Sequence, residues 1–127
     1  MSKGLADMAR IGQMVLDGDL VVLRELSERI DALRARVDEL DAQLSARART
    51  AAVAREEDLA LCNGRDQTWV EWVCLQKAEL RRQIAELMAD REDKLARAKR
   101  SFGRAQAIEA LQTRAREARL RKQSRQS

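Results

Sequence analysis

Trp69 and Trp72 are the side chains of this 127-residue sequence best suited to grip another molecule. A spacing of three sets them side by side on one face of a helix. Their rings combine a large rigid contact surface with a polar N–H, a combination enriched where proteins bind proteins. Two readings fit the pair. Both rings can seal the tip of a folded-back chain, or Trp72, supported by Trp69 and Val73, can stay partly outside as an anchor for a partner.

A second set is basic. Arg114, Arg116, Arg119 and Arg121, with Lys122 and Arg125, crowd the last stretch of the chain. Residues 94–127 hold 11 basic and 2 acidic side chains, whereas residues 1–64 hold 9 basic and 12 acidic. Such a cluster can complement a helix C-terminal dipole, bind the phosphates of a nucleic acid, or dock on an acidic protein surface. No aromatic residue is interleaved with these arginines and no DNA-reading module is visible. Nucleic acid is therefore the least favoured of the three.

Catalytic chemistry is poorly provided for. The chain has no His, which removes the commonest general base and the commonest metal ligand together. Cys62 and Cys74 alone cannot complete a zinc site and are too few for a disulfide framework. The sequence thus points to a non-enzyme with no metal and no cofactor, its two thiols reduced. No apolar run approaches the roughly 18–20 residues that cross a bilayer. Met1–Arg10 lacks the apolar block of a signal peptide. Together these observations lead us to expect a cytoplasmic protein that does not insert into a membrane.

The elements that must position these groups are long helices. Proline is absent, Gly numbers 5, aromatics make up 2% and charged residues 36%, while 45% of the chain is hydrophobic. That composition belongs to long helices and coiled coils, and it suits a thin seam rather than a thick core. One apolar ladder runs Leu16, Leu20, Leu23, Leu26, Ile30, Leu33, Val37, Leu40, Leu44, alternating steps of three and four from Leu23 onward. A second runs Leu80, Ile84, Leu87, Leu95, Ala98, Phe102, Ala105, Ile108, Leu111. Its eleven-residue spacing across Arg91 predicts a local relaxation of the supercoil.

Between the ladders, Asn63-Gly64 suits a left-handed helix C-cap and Asp66 an N-cap. The expected fold is all-α, an antiparallel two-helix coiled-coil hairpin folding back near Gly64. Residues 1–18, with Gly4, Gly12 and Gly18, form a partly ordered segment or short helix. Helix 1 spans residues 19–61, a turn 62–67, helix 2 residues 68–122 and a basic tail 123–127, in a single domain. Facing residues then have numbers adding to about 128, which sets Leu26 against Phe102 as the bulkiest layer and Val37 against Arg91. Arg91 would reach Asp38 or Asp41. Cys62 and Cys74 stand about two turns apart in height, too far for a disulfide. Helices of this length would make a rod of roughly 70–80 Å.

The segment from Lys94 to Leu111, with Ser101-Phe102-Gly103-Arg104-Ala105 at its centre, resembles the C-terminal helix of the FliJ-like proteins. These are stalk components of flagellar and type III secretion export. Length, the Asn-Gly region and the charged two-helix layout are similar too, over roughly residues 20–122. The resemblance implies a hairpin like that of the rotary ATP synthase γ subunit. Its open end, with Arg114, Arg116, Arg119 and Arg121, would enter a hexameric export ATPase. Trp69 and Trp72 would lie towards the export gate protein, and export chaperones are further implied partners. The hairpin alone would be monomeric. Two rivals stand beside this stalk or adaptor: a generic coiled-coil scaffold that dimerises through its ladder, and a basic helical nucleic-acid-binding protein.

Overall fold

Nothing in the sequence interrupts helix except isolated glycines, and each of those costs only about 1 kcal/mol relative to Ala. The computed structural model has two helices, α1 over Ser2–Val53 and α2 over Glu56–Gln126. The structure describes the backbone of residues 2–53 and 56–126, and the side chains of residues 3–50 and 67–126. The helices pack against each other and no strand occurs among the described residues. The fold is an all-α antiparallel two-helix hairpin. Its contacts divide into two units, Met1–Glu25 with Arg91–Ser127, and Leu26–Asp90.

The covered face of α1 keeps the heptad rhythm without a break. Leu5, Ala9, Gly12, Leu16, Asp19, Leu23, Leu26, Ile30, Leu33, Val37, Leu40 and Leu44 are each buried or half-buried, in alternating steps of four and three. On α2 the covered face is Val73, Lys77, Leu80, Ile84, Leu87, then Lys94, Ala98, Ser101, Ala105, Ile108, Gln112 and Ala115, in the same rhythm with exposed Arg91 between Leu87 and Lys94.

Three expectations are corrected by this face. Leu20 is 45% exposed and Asp19 takes its seam position. Phe102 and Leu111, 52% and 47% exposed, yield theirs to Ser101 and Gln112. Leu95 is half-buried beside Lys94, so the eleven-residue steps Ile84–Leu95 and Leu87–Ala98 across exposed Arg91 both join covered residues. Knobs of one helix fill holes of the other only while both keep the same phase. An unbroken ladder on α1 holds α2 in step, even where that turns a Ser inward and a Phe outward.

Among the described residues of the unit 26–90, Ile30, Leu40 and Val73 are the largest fully buried side chains. Each contributes on the order of 1.5–3 kcal/mol by leaving water. Lys77, only 16% exposed, pairs with Asp41, and Arg34 Nη2 lies 3.5 Å from Met88 Sδ. In the other unit, Leu16, Ala98 and Ser101 are buried. The Ser101 hydroxyl donates to Asp19 Oδ2 at 2.5 Å, and Arg97 Nε stands 3.9 Å from Asp19 Oδ1.

These pairs also correct the register. Facing residues such as Gly12 with Ile108, Asp19 with Ser101 and Arg34 with Met88 have numbers adding to about 120 rather than 128. A heptad ladder repeats every seven residues, so apolar content alone does not separate two registers about one heptad apart. Polar groups do. A sum of 128 would bring Asp19 to Glu109 and Asp41 to Leu87. The observed register gives them Ser101 and Lys77 instead, so Asp41 is met by Lys77 and not by Arg91.

The helix bounds differ too. Residues 62–67, expected as the turn, belong to α2, which begins at Glu56. Asn63-Gly64 falls inside α2, so the helix C-cap suggested by that dipeptide is not formed there. Helix formers flank that dipeptide on both sides and one Gly is a small cost to them. The acidic run Glu56-Glu57-Asp58 is the sequence signal that fits a helix start. At the other end, α1 begins at Ser2 and runs through Gly4, Gly12 and Gly18 as continuous helix, where a partly ordered segment or short helix was expected.

Candidate protein-binding surfaces

The tryptophan pair lies on α2 within the unit of residues 26–90. Val73 beside it is completely buried and fixes that turn of helix against α1. Trp69 is half-buried, and the Arg47 guanidinium stands over its ring at 4.6 Å from the centroid. Such a cation–π contact is worth on the order of 0.5–1 kcal/mol at an accessible site. Trp72 points differently: 47% of it is exposed. The two rings thus divide the roles that the spacing left open, Trp69 covering the helix pair and Trp72 presenting itself outward. Val70 and Leu75 add exposed apolar surface on the same stretch.

Arg114, Arg116, Arg119 and Arg121 are all exposed, in the other unit. They do not form one patch. At 100° per residue, Arg116 and Arg119 share one side of α2, while Arg114 and Arg121, seven apart, share another. Arg116 and Arg119 line an open groove with Gln112 and Ala115 of α2 and Leu5 and Ala6 of α1. The chain's first residues and its basic last helix therefore build one surface together.

Other charges are spoken for locally. Arg82 donates from Nε to Glu79 Oε2 at 2.9 Å and also holds Glu86. The Arg82 hydrogen bond, with a smaller one from Gln83, holds the Glu79 carboxyl down at about 2, and Arg82 is pushed up in turn. These are neighbours one turn apart on a wet helix face, an arrangement that braces a helix rather than moves protons. Cys74 is an exposed free thiol, and Cys62 lies outside the described side chains. Among the described residues no three of His, Cys, Asp and Glu cluster as metal ligands, and no helix is long and apolar enough to cross a membrane.

Sequence reasoning did not single out the Asp19–Ser101 layer or Arg47 over Trp69. Asp19 was legible in principle, since it falls in step with Leu16 and Leu23. Its charge argued against a seam position until its partner was known.

The fold and these surfaces define a class, the antiparallel helical hairpin with separate aromatic and basic faces. Beyond that class, no family model, curated protein or solved structure matches the chain.

Proposed function

We propose that this chain is a non-enzymatic stalk or adaptor of a flagellar or type III protein-export apparatus. It docks by its basic segment on the hexameric export ATPase in the cytoplasm and by its aromatic face on the export gate protein, and it meets export chaperones there. One observation carries the reading. Residues 1–25 and 91–127 form a single helical unit, and the four arginines of its last turns are exposed. Both ends of the chain are thereby joined in one firm, positively charged element. Such an element can enter an acidic opening in a larger assembly, with attraction that falls as salt rises. The resemblance of residues 94–111 to the FliJ-like C-terminal helix names the assembly. The lack of any His and the binding character of Trp72 fit a protein that is held rather than one that catalyses.

The test is hydrolysis by the export ATPase of the same organism, with and without this protein. Stimulation is expected, and it should vanish when Arg114, Arg116, Arg119 and Arg121 are replaced by Glu. Absence of both stimulation and co-elution would refute the stalk and leave a scaffold.

A further inference from the structure

In the unit of residues 1–25 and 91–127, a groove distinct from the one lined by Arg116 and Arg119 runs along the helix pair. Met8, Ile11 and Val15 of α1 form one wall, and Arg104 and Ile108 of α2 the other. These α1 side chains are not core. Ile11 is 61% exposed, and Met8 and Val15 about half. Their steps of three and four continue through Gly18 to exposed Val22, an apolar stripe beside the seam. From Met8 to Val22 it is about 21 Å long at 1.5 Å per residue, the length of four helical turns. Gly12 keeps the groove floor low, since a Cβ there would stand 3.5 Å from Ile108 Cδ1.

The α2 wall turns basic along its length. Lys94, Arg97, Arg100 and Arg104 border an adjoining groove that also touches Val15 and Ser101, with Asp93 as its single carboxylate. Arg100 and Arg104 are exposed, and neither takes part in an ion pair among the described residues. An apolar wall and a parallel basic wall are complementary to a helix with apolar anchors at heptad spacing and carboxylates along one flank.

We propose that this groove is a docking site for an acidic amphipathic helix of a partner protein. The anchors of that helix lie on Met8, Ile11 and Val15, and its carboxylates face Arg97, Arg100 and Arg104. A second copy of this chain fits less well, because a two-fold contact would set the arginine row against itself. The proposal does not rest on the export reading, and its experiment contains no ATPase.

The experiment is a display selection against the full chain, using peptides of about 20 residues with fixed apolar heptad positions and free polar ones. Carboxylates should be enriched on one flank. The best peptide, synthesised and followed by fluorescence anisotropy, should bind at least about tenfold more weakly to Ile11→Asp and to the pair Arg100→Glu, Arg104→Glu. Circular dichroism should be unchanged, as all three positions are exposed. Enrichment of neutral or basic peptides, or affinity indifferent to these substitutions, would overturn the proposal. So would a dimer in sedimentation equilibrium, or binding to phosphatidylserine vesicles, that Ile11→Asp abolishes.

Discussion

The Asp19–Ser101 layer offers the sharpest test of how this hairpin is specified. Ser101 is 4% exposed and its hydroxyl reaches Asp19 Oδ2 at 2.5 Å. A hydrogen bond to a charged group contributes about 1.5–3 kcal/mol. Asp19, 16% exposed and within 3.9 Å of an Arg97 that is mostly in solvent, keeps part of its solvation without Ser101. The low end of that range therefore applies, and Ala regains about 0.5 kcal/mol of helix propensity. Ser101→Ala should destabilise by about 1 kcal/mol. The pair Asp19→Leu, Ser101→Ala should act in the opposite direction. It removes a desolvated charge and adds a buried Leu, a replacement that stabilises such sites by about 1–4 kcal/mol. We expect a gain of about 2 kcal/mol in urea unfolding followed by circular dichroism at 222 nm, with an unchanged m-value. The gain should come with a looser register, since a polar seam position excludes alternatives at a cost in stability. A double variant less stable than the parent would refute the reasoning and make the layer a net source of stability.

Four further expectations can be checked on the same protein. With Cys62 and Cys74 replaced by Ser, Gly12→Cys with Ile108→Cys should cross-link on oxidation, and Leu20→Cys with Ile108→Cys should not; the reverse would restore the register adding to 128. Trp72→Ala should leave the unfolding midpoint nearly unchanged, whereas Trp69→Ala should lower stability by about 1 kcal/mol or more through lost burial and the lost Arg47 contact. Gly12→Ala should stabilise by about 0.5–1 kcal/mol, because the added methyl meets Ile108 at an ordinary contact distance; a fall in stability would mean that the groove floor has no room. Glu79, held at about 2 by Arg82, should titrate far below a free Glu in carboxyl NMR. A depressed folded value means that its contribution is complete above the ordinary Glu range near about 4.3 and fades as pH falls towards 2. Arg82→Gln should return it to the ordinary range.

Much of the protein is written in one dimension. The lack of Pro, the scarcity of Gly and the wealth of Ala, Leu, Arg and Glu make long helices unavoidable. The ladder from Leu23 to Leu44 determines which face of α1 is covered, because a 3.5-residue repeat has one way to stay against a partner. Trp69 and Trp72 were legible as adjacent rings, and the last arginines as a solvated cluster. What tertiary structure alone decided is phase and register. Leu20, Phe102 and Leu111 look like seam residues by type, yet they face outward. Asp19, Ser101 and Gln112 look like surface residues, yet they face inward. Hydrophobicity ranks each position by itself, whereas meshing two helices requires every layer to share one phase. Register escapes the apolar pattern for a related reason: a heptad repeat matches itself after a slip of seven. The choice falls to a few polar contacts, Ser101 with Asp19 and Lys77 with Asp41, whose partners lie 82 and 36 residues apart and meet only once the chain has folded.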